Sequence, residues 1–385
     1  MGIQTAAEKS NLQAAAQDAK IADVTGVDTC PACDSPEIRP LFTAKDVFNR
    51  QRETAQNPAS HHQAEPAETG PAEIPPPTAY QIVECGKCRL VRLHPQPVPL
   101  ELQAFYPANY WLEPDHPHAP PFEAGVRRFL LRDRIRFMEC ALHQSFETAL
   151  ESAEDTAQNH WLVDVGCGGG LTLQLLQERG WKNLIGLEFG VDSAASILRS
   201  RAVPAVCGTF SRAPFKLEHC ALITMFHVLE HLYDPASYLD AAHRALAPHG
   251  RLIVQIRNAA SWQFLLFGER WAGLNTPRHL VQFRRKDVES LLQDCGFEIL
   301  RERHFSWSES AATCASSLLP ALDPSVRRLR GKQESPAQSA FKDVGFFALS
   351  ALCLPFVLLE AACRAGAVLT IEARKKTLEN TPGTK

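Results

Sequence analysis

Three glycines at alternating positions, next to an acid, are the residues of this chain best suited to hold a small ligand. Gly166, Gly168 and Gly170 follow the apolar run 161–165, which predicts a buried strand, and precede residues with helical spacing. Glycines in such a turn let the backbone approach a ligand that a Cβ would push away. Asp164 ends the strand, where a carboxylate repels phosphate but can hold a cationic or hydroxyl-bearing group.

A second acid, Glu188, ends the next predicted strand, 183–189, where a carboxylate commonly accepts hydrogen bonds from ribose hydroxyls. The turn reads Gly-x-Gly-x-Gly and not the Gly-x-Gly-x-x-Gly of dinucleotide-binding proteins. These features favour an adenosine ligand without phosphates, and S-adenosylmethionine is the candidate. The other residues predicted to contact it are Phe189, Thr209 and Phe226.

The sequence resembles the class I S-adenosylmethionine-dependent methyltransferases at three places that occur in the family's order. Residues 163–170 look like the first motif, 225–232 resemble the fourth-strand region, and 246–252 resemble the Leu-x-Pro-Gly-Gly-x-Leu turn before the fifth strand. The resemblance implies an α/β fold: a Rossmann-like, doubly wound, mostly parallel sheet that binds the cofactor at the C-terminal ends of its strands.

The chain departs from that family after its third predicted strand. The family usually has an acid there that contacts the adenine amine, whereas this chain has Gly208-Thr209-Phe210. Thr209 or a backbone group is therefore predicted to make the adenine contact.

Candidate catalytic residues follow the fourth predicted strand. His227, Glu230 and His231 have the spacing of one helical face, and a neutral imidazole near pH 7 could take a proton from a hydroxyl that attacks a methyl group. The segment resembles the quinone-pathway O-methyltransferases, although those have an acid where this chain has His227. The alternative is a structural Glu–His pair with one incidental histidine.

A second group of candidates lies in residues 271–280, which resemble the Trp…Leu…Pro-Arg-His-Leu stretch of methyltransferases with a zinc-binding leader. We predict that Arg278 clamps an anionic group of the substrate and that His279 is a second base. The alternative is structural: Arg278 bridges to a carboxylate and His279 bonds a backbone carbonyl.

Two Cys-x-x-Cys pairs near the N-terminus predict a structural zinc site, because four thiolates can surround one Zn²⁺ tetrahedrally. The predicted ligands are Cys30, Cys33, Cys85 and Cys88. Residues 50–79 between the pairs are rich in Pro, Ala, Glu, Gln and His, which predicts a disordered insertion. A redox pair and unrelated cysteines are the alternatives. The pairs, with the aromatic stretch 105–111, resemble the zinc-binding leader of some small-molecule methyltransferases.

The C-terminal part contains 16 consecutive uncharged residues, 344–359, and a further apolar stretch up to 371, with basic residues on both sides. Sixteen residues are short for a membrane span, so we predict that 344–371 contacts an anionic membrane surface peripherally. A buried helical hairpin or a dimer interface is the alternative. With a membrane contact, the methyl acceptor could be lipid-linked.

Composition sets the broad class. The 385 residues carry a net charge of −3, which gives no support for a nucleic-acid partner, and twelve cysteines without a signal peptide indicate a reducing, cytoplasmic compartment. The predicted segments are a disordered tail (1–28), a zinc-ribbon-like module (29–96), a proline and aromatic linker (97–123), a methyltransferase domain (124–304) and a C-terminal helical segment (305–385).

The predicted function is methyl transfer from S-adenosylmethionine to a small-molecule, glycan or lipid-linked acceptor, with O-methylation favoured. The alternatives are C-methylation of a sugar nucleotide and a non-catalytic scaffold with a degenerate methyltransferase fold. The sequence predicts neither the acceptor nor the oligomeric state.

Overall fold

The structure is a computed structural model, which describes residues 29–44, 80–99, 102, 105, 121–151, 160–213, 215–329 and 334–376. The strands are β1 (Ile38–Ala44), β2 (Tyr80–Cys85), β3 (Val91–His94), β4 (Trp161–Val165), β5 (Leu184–Glu188), β6 (Ala205–Cys207), β7 (Cys220–Phe226), β8 (Leu246–Arg257), β9 (Val281–Gln282), β10 (Phe297–Arg303) and β11 (Val368–Lys375). The helices are α1 (Pro121–Glu151), α2 (Leu171–Glu178), α3 (Val191–Arg201), α4 (Pro235–Ala245), α5 (Trp262–Phe267), α6 (Arg285–Asp294), α7 (Ser310–Leu318), α8 (Pro324–Leu329) and α9 (Pro336–Ala362).

A seven-stranded sheet in the order β10-β11-β8-β7-β4-β5-β6 forms the centre of the molecule. The neighbouring pairs from β8 to β6 are all parallel, and β11 runs antiparallel to both β8 and β10. The strand order reverses at β4, which has β5 on one side and β7 on the other. In such sheets ligands bind beyond the C-terminal ends of the strands at this reversal. The predicted doubly wound, mostly parallel α/β sheet is confirmed.

The long helix α1 packs across the sheet next to the reversal. Its buried residues Ile135, Met138 and Leu142 share one apolar core with β4 and α2, and the Ser145 hydroxyl donates to the carbonyl of His249 at 2.8 Å. The helix thereby carries Arg134, near its middle, towards the C-terminal edge of the sheet.

The C-terminal part differs from the sequence prediction. Its helical prediction holds up to Ala362, but residues 368–375 form strand β11, which lies inside the main sheet between β8 and β10. The first six residues of this strand are buried, including the polar residues Thr370 and Glu372 that alternate with its apolar ones. The late apolar stretch 365–371, predicted as part of a membrane-contacting segment, therefore belongs largely to the core of the sheet.

The N-terminal module is a small antiparallel sheet that is joined to the main domain. Strands β1, β2 and β3 pair in sequence order, and β9 from the main domain is added as the fourth strand. Residues of both parts, such as Tyr80 and Val163, belong to one continuous apolar core. The predicted disordered segments 1–28 and 50–79, and most of the linker 97–123, lie outside the described residues.

Candidate active site

The glycine turn after β4 has the conformation that its sequence requires. Gly166, Gly168 and Gly170 have φ values of 68°, 54° and 75°, a region that other residues seldom adopt. A Cβ on Gly166 would lie 2.7 Å from Cγ2 of Val228, so this glycine allows the turn after β7 to lie directly against the loop. The glycine turn and the end of β7 are therefore in contact.

Glu188 connects the ends of the first two strands of the parallel unit. Its carboxylate accepts hydrogen bonds from the backbone N–H of Gly168 at 2.9 Å and of Phe189 at 3.0 Å. The side chain is buried, and this burial, with a smaller contribution from Asp164, raises its pKa to about 7 in spite of the two donors. A hydroxyl pair that donated to this carboxylate would stabilise its charged form.

The other residues predicted to bind the cofactor surround this carboxylate at the same edge of the sheet. Asp164 is buried and accepts a hydrogen bond of 2.6 Å from the hydroxyl of Thr224, so β7 fixes its orientation. Phe189 follows Glu188 directly and is exposed, and Thr209 follows β6 and is half-buried. Phe226 ends β7, and the guanidinium of Arg134 lies over its ring at 4.3 Å.

His227 lies between two carboxylates at the end of β7. Its Nε2 is 2.5 Å from Oε2 of Glu309, and its Nδ1 is 3.2 Å from Oε1 of Glu230. Its φ of 55° is left-handed, and only a short 3-10 turn, Leu229–His231, follows. The prediction of one helical face for His227, Glu230 and His231 is therefore wrong, although the first two side chains do meet.

Glu309 is held by cations from elements that are far apart in the sequence. Its carboxylate is 2.7 Å from Nη2 of Arg134 on α1 and 3.1 Å from Nη2 of Arg257 at the end of β8. The amide of Gln255 donates to it at 2.8 Å. Burial alone would raise the pKa of Glu309, but His227 and the two arginines outweigh it and hold the pKa well below its usual range.

The same contacts determine the charge of His227. Burial lowers the pKa of the imidazole, but the carboxylates of Glu309 and Glu230 outweigh it, and the net shift is upward. Both ring nitrogens face carboxylate oxygens, and the side-chain nitrogen of Gln255 also lies 2.8 Å from Nε2. The predicted role of His227 as a neutral base is not supported by this arrangement. The upward shift of its pKa favours the positively charged form of the ring.

The other two predicted bases, His231 and His279, are in contact with backbone carbonyls. Nδ1 of His231 is 3.1 Å from the carbonyl of Arg278, and Nδ1 of His279 is 3.1 Å from that of Gly273. The two rings meet edge to face, 4.6 Å apart. Burial lowers the pKa of His231 to about 4 and that of His279 well below its usual range. Both imidazoles are neutral structural groups, which corresponds to the alternative stated for His279.

Arg278 also has structural partners. Its side chain is buried, and its guanidinium donates to the carbonyl of Phe105 at 2.8 Å and to the side-chain oxygen of Asn275 at 3.3 Å. Leu280, two residues later, accepts a hydrogen bond from the N–H of Leu93 in the N-terminal module. Residues 271–280 thus attach the main domain to that module and its linker. The predicted anion clamp stays a prediction, since these two bonds use only part of the donor capacity of the guanidinium.

The four predicted metal ligands come together in the N-terminal module. The sulfur atoms of Cys30, Cys33, Cys85 and Cys88 all lie within 4.8 Å of one another, with Cys30–Cys88 at 3.5 Å and Cys33–Cys85 at 3.6 Å. Tetrahedral zinc thiolates have sulfur–sulfur distances of about 3.8 Å, so the set fits a Zn²⁺ ion. Burial also raises the pKa of Cys85, but the N–H groups of Cys88 and Lys87 outweigh it and lower that pKa to about 6.

Sequence reasoning missed the residue at the centre of the charged cluster. Glu309 lies immediately before α7, in a segment predicted to be an appendage of the catalytic domain. Its partners Arg134 and Gln255 were also not predicted. No local motif marks these residues, because the contact joins positions 175 residues apart in the chain.

Residues 132–302 match a protein-family model described as a methyltransferase domain. Over 152 residues the chain is 26% identical to the ubiquinone biosynthesis O-methyltransferase of Pseudomonas paraeruginosa, covering 36% of this chain and 64% of that protein. Over 139 residues it is 26% identical to a probable S-adenosylmethionine-dependent methyltransferase of Mycolicibacterium smegmatis, covering 36% and 52%. The matches thus span less than two thirds of these relatives.

Solved structures show distant similarity. The geranyl diphosphate C-methyltransferase of Streptomyces coelicolor aligns with a TM-score of 0.42 at 14% identity, covering 70% of this chain and 83% of that one. A methyltransferase of Archaeoglobus fulgidus aligns with a TM-score of 0.40 at 15% identity, covering 64% and 94%.

Proposed function

We infer that this chain, whose residues 132–302 are a methyltransferase domain of the class I type, transfers a methyl group from S-adenosylmethionine to an oxygen atom of a small-molecule acceptor. The observation that carries the proposal is the buried carboxylate of Glu188, hydrogen-bonded to the glycine loop at the reversal of a parallel sheet. A nucleoside binds at such a place through its hydroxyls.

The donor side holds and shields the cofactor, which supplies an already activated methyl group. The glycine turn permits close approach of the ligand, and Glu188 accepts hydrogen bonds from its ribose hydroxyls. Phe189 and Thr209 flank the adenine, in place of the acid that related enzymes have after the third strand. Asp164, oriented by Thr224, faces the cationic end of the ligand. These groups orient the methyl group towards the end of β7 and exclude water from it.

The acceptor side binds an oxygen that ionises readily. Three cations, Arg134, Arg257 and protonated His227, surround two carboxylates, Glu230 and Glu309, and leave one net positive charge at the edge of the sheet. Positive charge lowers the pKa of a nearby hydroxyl, so the acceptor can attack as an anion without a dedicated base. Acidic hydroxyls of phenol type and carboxylates fit this environment best.

O-methylation is favoured over C-methylation for the same reason. Attack from carbon requires a group that removes a proton from that carbon, and both nitrogens of His227 already face carboxylates. The relatives named as ubiquinone biosynthesis O-methyltransferases support an oxygen acceptor. The acceptor is a free small molecule or the same chemical group on a glycan or lipid carrier, and the reduced cysteines are consistent with a cytoplasmic enzyme.

Calorimetric titration with S-adenosylhomocysteine tests the donor side. We expect one saturable site in the wild-type protein and at least a 100-fold weaker affinity in Glu188→Ala, because the variant loses the charged acceptor for two hydroxyls. Glu218→Ala, which removes an exposed glutamate of the same domain, is the matched control and should bind normally. Absence of binding in folded wild-type protein would contradict the proposal and favour the non-catalytic scaffold.

We also propose that the four cysteines hold one structural Zn²⁺ ion that fixes the turns at 30–33 and 85–88. Elemental analysis of purified protein should give one zinc per chain. Cys88→Ser should lose most of it, whereas Cys363→Ser, at an exposed thiol outside the cluster, should retain it. Equal zinc content in both variants would rule out this ligand set.

A further inference from the structure

We propose that the outer face of helix α9 lies on the surface of an anionic lipid bilayer. The outer face consists of the exposed large apolar residues of this helix: Phe341, Val344, Phe347, Leu352, Leu358 and Leu359. Phe341 is 79% exposed and Leu352 is 78% exposed, which is unusual for residues of this size. By length and composition, Ala337–Ala362 could cross a membrane.

The polarity of α9 is the reverse of that of a helix that faces water. Of its two acidic residues, Asp343 is paired with Arg327, and Glu360 is completely buried. Glu360 accepts hydrogen bonds from the backbone N–H and the side-chain amide of Gln263, both at 2.9 Å. Leucine and phenylalanine occupy the solvent side, and no Asp or Glu belongs to the outer face. Such a helix is suited to an apolar environment on its outer side.

The attachments of α9 indicate that it lies flat and does not span the bilayer. Its inner residues Phe346, Cys353 and Val357 pack on α7. Near its N-terminal end Asp343 is paired with Arg327 of α8, and after its C-terminal end the chain enters the main sheet as β11. Both ends are therefore fixed to the same domain, so the helix presents its side, not its ends, to the membrane.

The apolar surface extends beyond α9. Trp262 of α5 packs against Phe356 of α9, with ring centroids 6.4 Å apart, and Leu265 and Leu266 of the same short helix are exposed. Leu318 at the end of α7 is exposed as well. A surface contributed by three helices is broader than the single seam by which two helices pair, and this breadth favours a lipid surface over a second copy of the chain.

The charges beside the outer face fit an anionic bilayer, but they are not the ones suggested by the sequence. Arg364 lies two residues after the end of α9 and is exposed. Arg327, in contrast, is buried in ion pairs with Glu334 and Asp343, and Arg374 and Lys375 lie at the far end of β11, paired with Glu298 and Glu218. Arg364 is therefore the basic residue that we assign to lipid contact.

The position of α9 links this surface to the charged cluster. Strand β11 begins at Val368, which pairs with Arg257, the residue that contacts Glu309. The C-terminal end of the outer face thus lies at the same edge of the sheet as the site. Membrane contact at this edge would bring the site within reach of an acceptor carried by a lipid.

Sedimentation of the full-length protein with vesicles tests the proposal independently of methyl transfer. We expect binding to vesicles of 70% phosphatidylcholine and 30% phosphatidylglycerol. Leu352→Glu should reduce it by about tenfold or more, because it places a charge in the apolar layer. Leu217→Glu, at a residue that is 64% exposed far from α9 in the sequence, is the matched control and should bind like the wild type. Arg364→Glu should weaken binding by about fivefold or more.

Two results would overturn the proposal. One is vesicle binding that is equal in Leu352→Glu and in the wild type. The other is a lack of vesicle binding by the folded wild-type protein. A stable dimer in sedimentation velocity that Leu352→Glu dissociates would then assign the outer face to a second copy. Circular dichroism of all three glutamate variants should show unchanged helix content, because all three positions are exposed.

Discussion

The donor side and the acceptor side of the site each contain a glutamate, and the pKa values of the two carboxyl groups are shifted in opposite directions. Glu188 has backbone N–H groups as partners and Asp164 as a neighbour, and its pKa rises to about 7. Glu309 lies among Arg134, Arg257 and His227, and its pKa falls well below the usual range. Burial raises the pKa of both carboxyl groups, so the neighbouring charges determine the direction of each net shift.

This difference indicates what each side still lacks. Burial makes the ionised form of Glu188 unfavourable, and hydroxyl groups of a ligand that donate to the carboxylate would stabilise it. The donor side therefore still needs hydrogen-bond donors from its ligand. Glu309 is already neutralised by three cations and needs no ligand. Its function is to fix the positions of those cations, and it is a positioning residue for the acceptor. The predictions below test this division.

The largest effect is expected from Gly166→Ala, which should weaken binding of S-adenosylhomocysteine by about 100-fold or more. The new Cβ would meet Val228 at 2.7 Å in a left-handed conformation, so the loop must move away from Glu188. Gly180→Ala is the control, since its φ of 92° carries similar strain but no atom lies within 4 Å. It should lose about 1 kcal/mol of stability and no affinity. Equal affinities in both variants would show that the loop is not the binding element.

A large effect confined to the acceptor side is expected from Glu309→Gln. The variant should lower kcat/KM by about 30-fold or more with an identified acceptor and leave the affinity for S-adenosylhomocysteine unchanged. It should also lower the pKa of His227, measured by NMR titration of the imidazole, because one of its two carboxylates is lost. Glu298→Gln, in an exposed ion pair, should change neither quantity. Weakened cofactor binding in Glu309→Gln would contradict the separation of the two sides.

A moderate effect should appear when affinity is measured against pH. If ligand hydroxyls donate to ionised Glu188, a pKa of about 7 makes that form roughly tenfold more abundant at pH 8 than at pH 6. The affinity for S-adenosylhomocysteine should rise by about the same factor over this interval. Glu188→Gln should bind weakly at both values, with no such dependence. A wild-type affinity that falls with increasing pH would show that the ligand prefers the neutral acid.

The same pKa shift also affects the stability of the ligand-free protein. The pKa of Glu188 is higher in the folded chain, so the unfolded chain releases this proton first as pH rises. The contribution of Glu188 to the free energy of unfolding therefore falls between pH 4.5 and about 7 and is constant above that range. The difference between wild type and Glu188→Gln should change by about 2.5 kcal/mol between pH 5 and pH 8 in urea unfolding. No change, or a change of opposite sign, would contradict the assigned shift.

The elements that the sequence predicted well are those whose signal is local. The glycine turn, Glu188 at the end of its strand and the two cysteine pairs are each recognisable within a few residues, because backbone conformation and short-range spacing determine them. The methyltransferase recognition depended on such segments and is confirmed by the family match over residues 132–302.

The features that sequence reasoning missed depend on contacts between distant parts of the chain. Glu309 acquires its role from Arg134 and Arg257, and β11 acquires its identity as a strand from β8 and β10 on either side. Arg278 was assigned to the substrate because arginine binds anions well. The structure gives its guanidinium a further partner, the carbonyl of Phe105, which no spacing in the sequence could indicate.

The insertion of β11 between β8 and β10 has a consequence for synthesis of the protein on the ribosome. Strand β10 is complete at Arg303, but the strand that joins it to the sheet begins only at Val368, 65 residues later. Because the ribosome adds about 5 to 20 residues per second, β10 has no neighbouring strand for several seconds after its own synthesis. A chain interrupted in that interval would expose two unpaired strand edges, so such fragments should be substrates for chaperones and proteases.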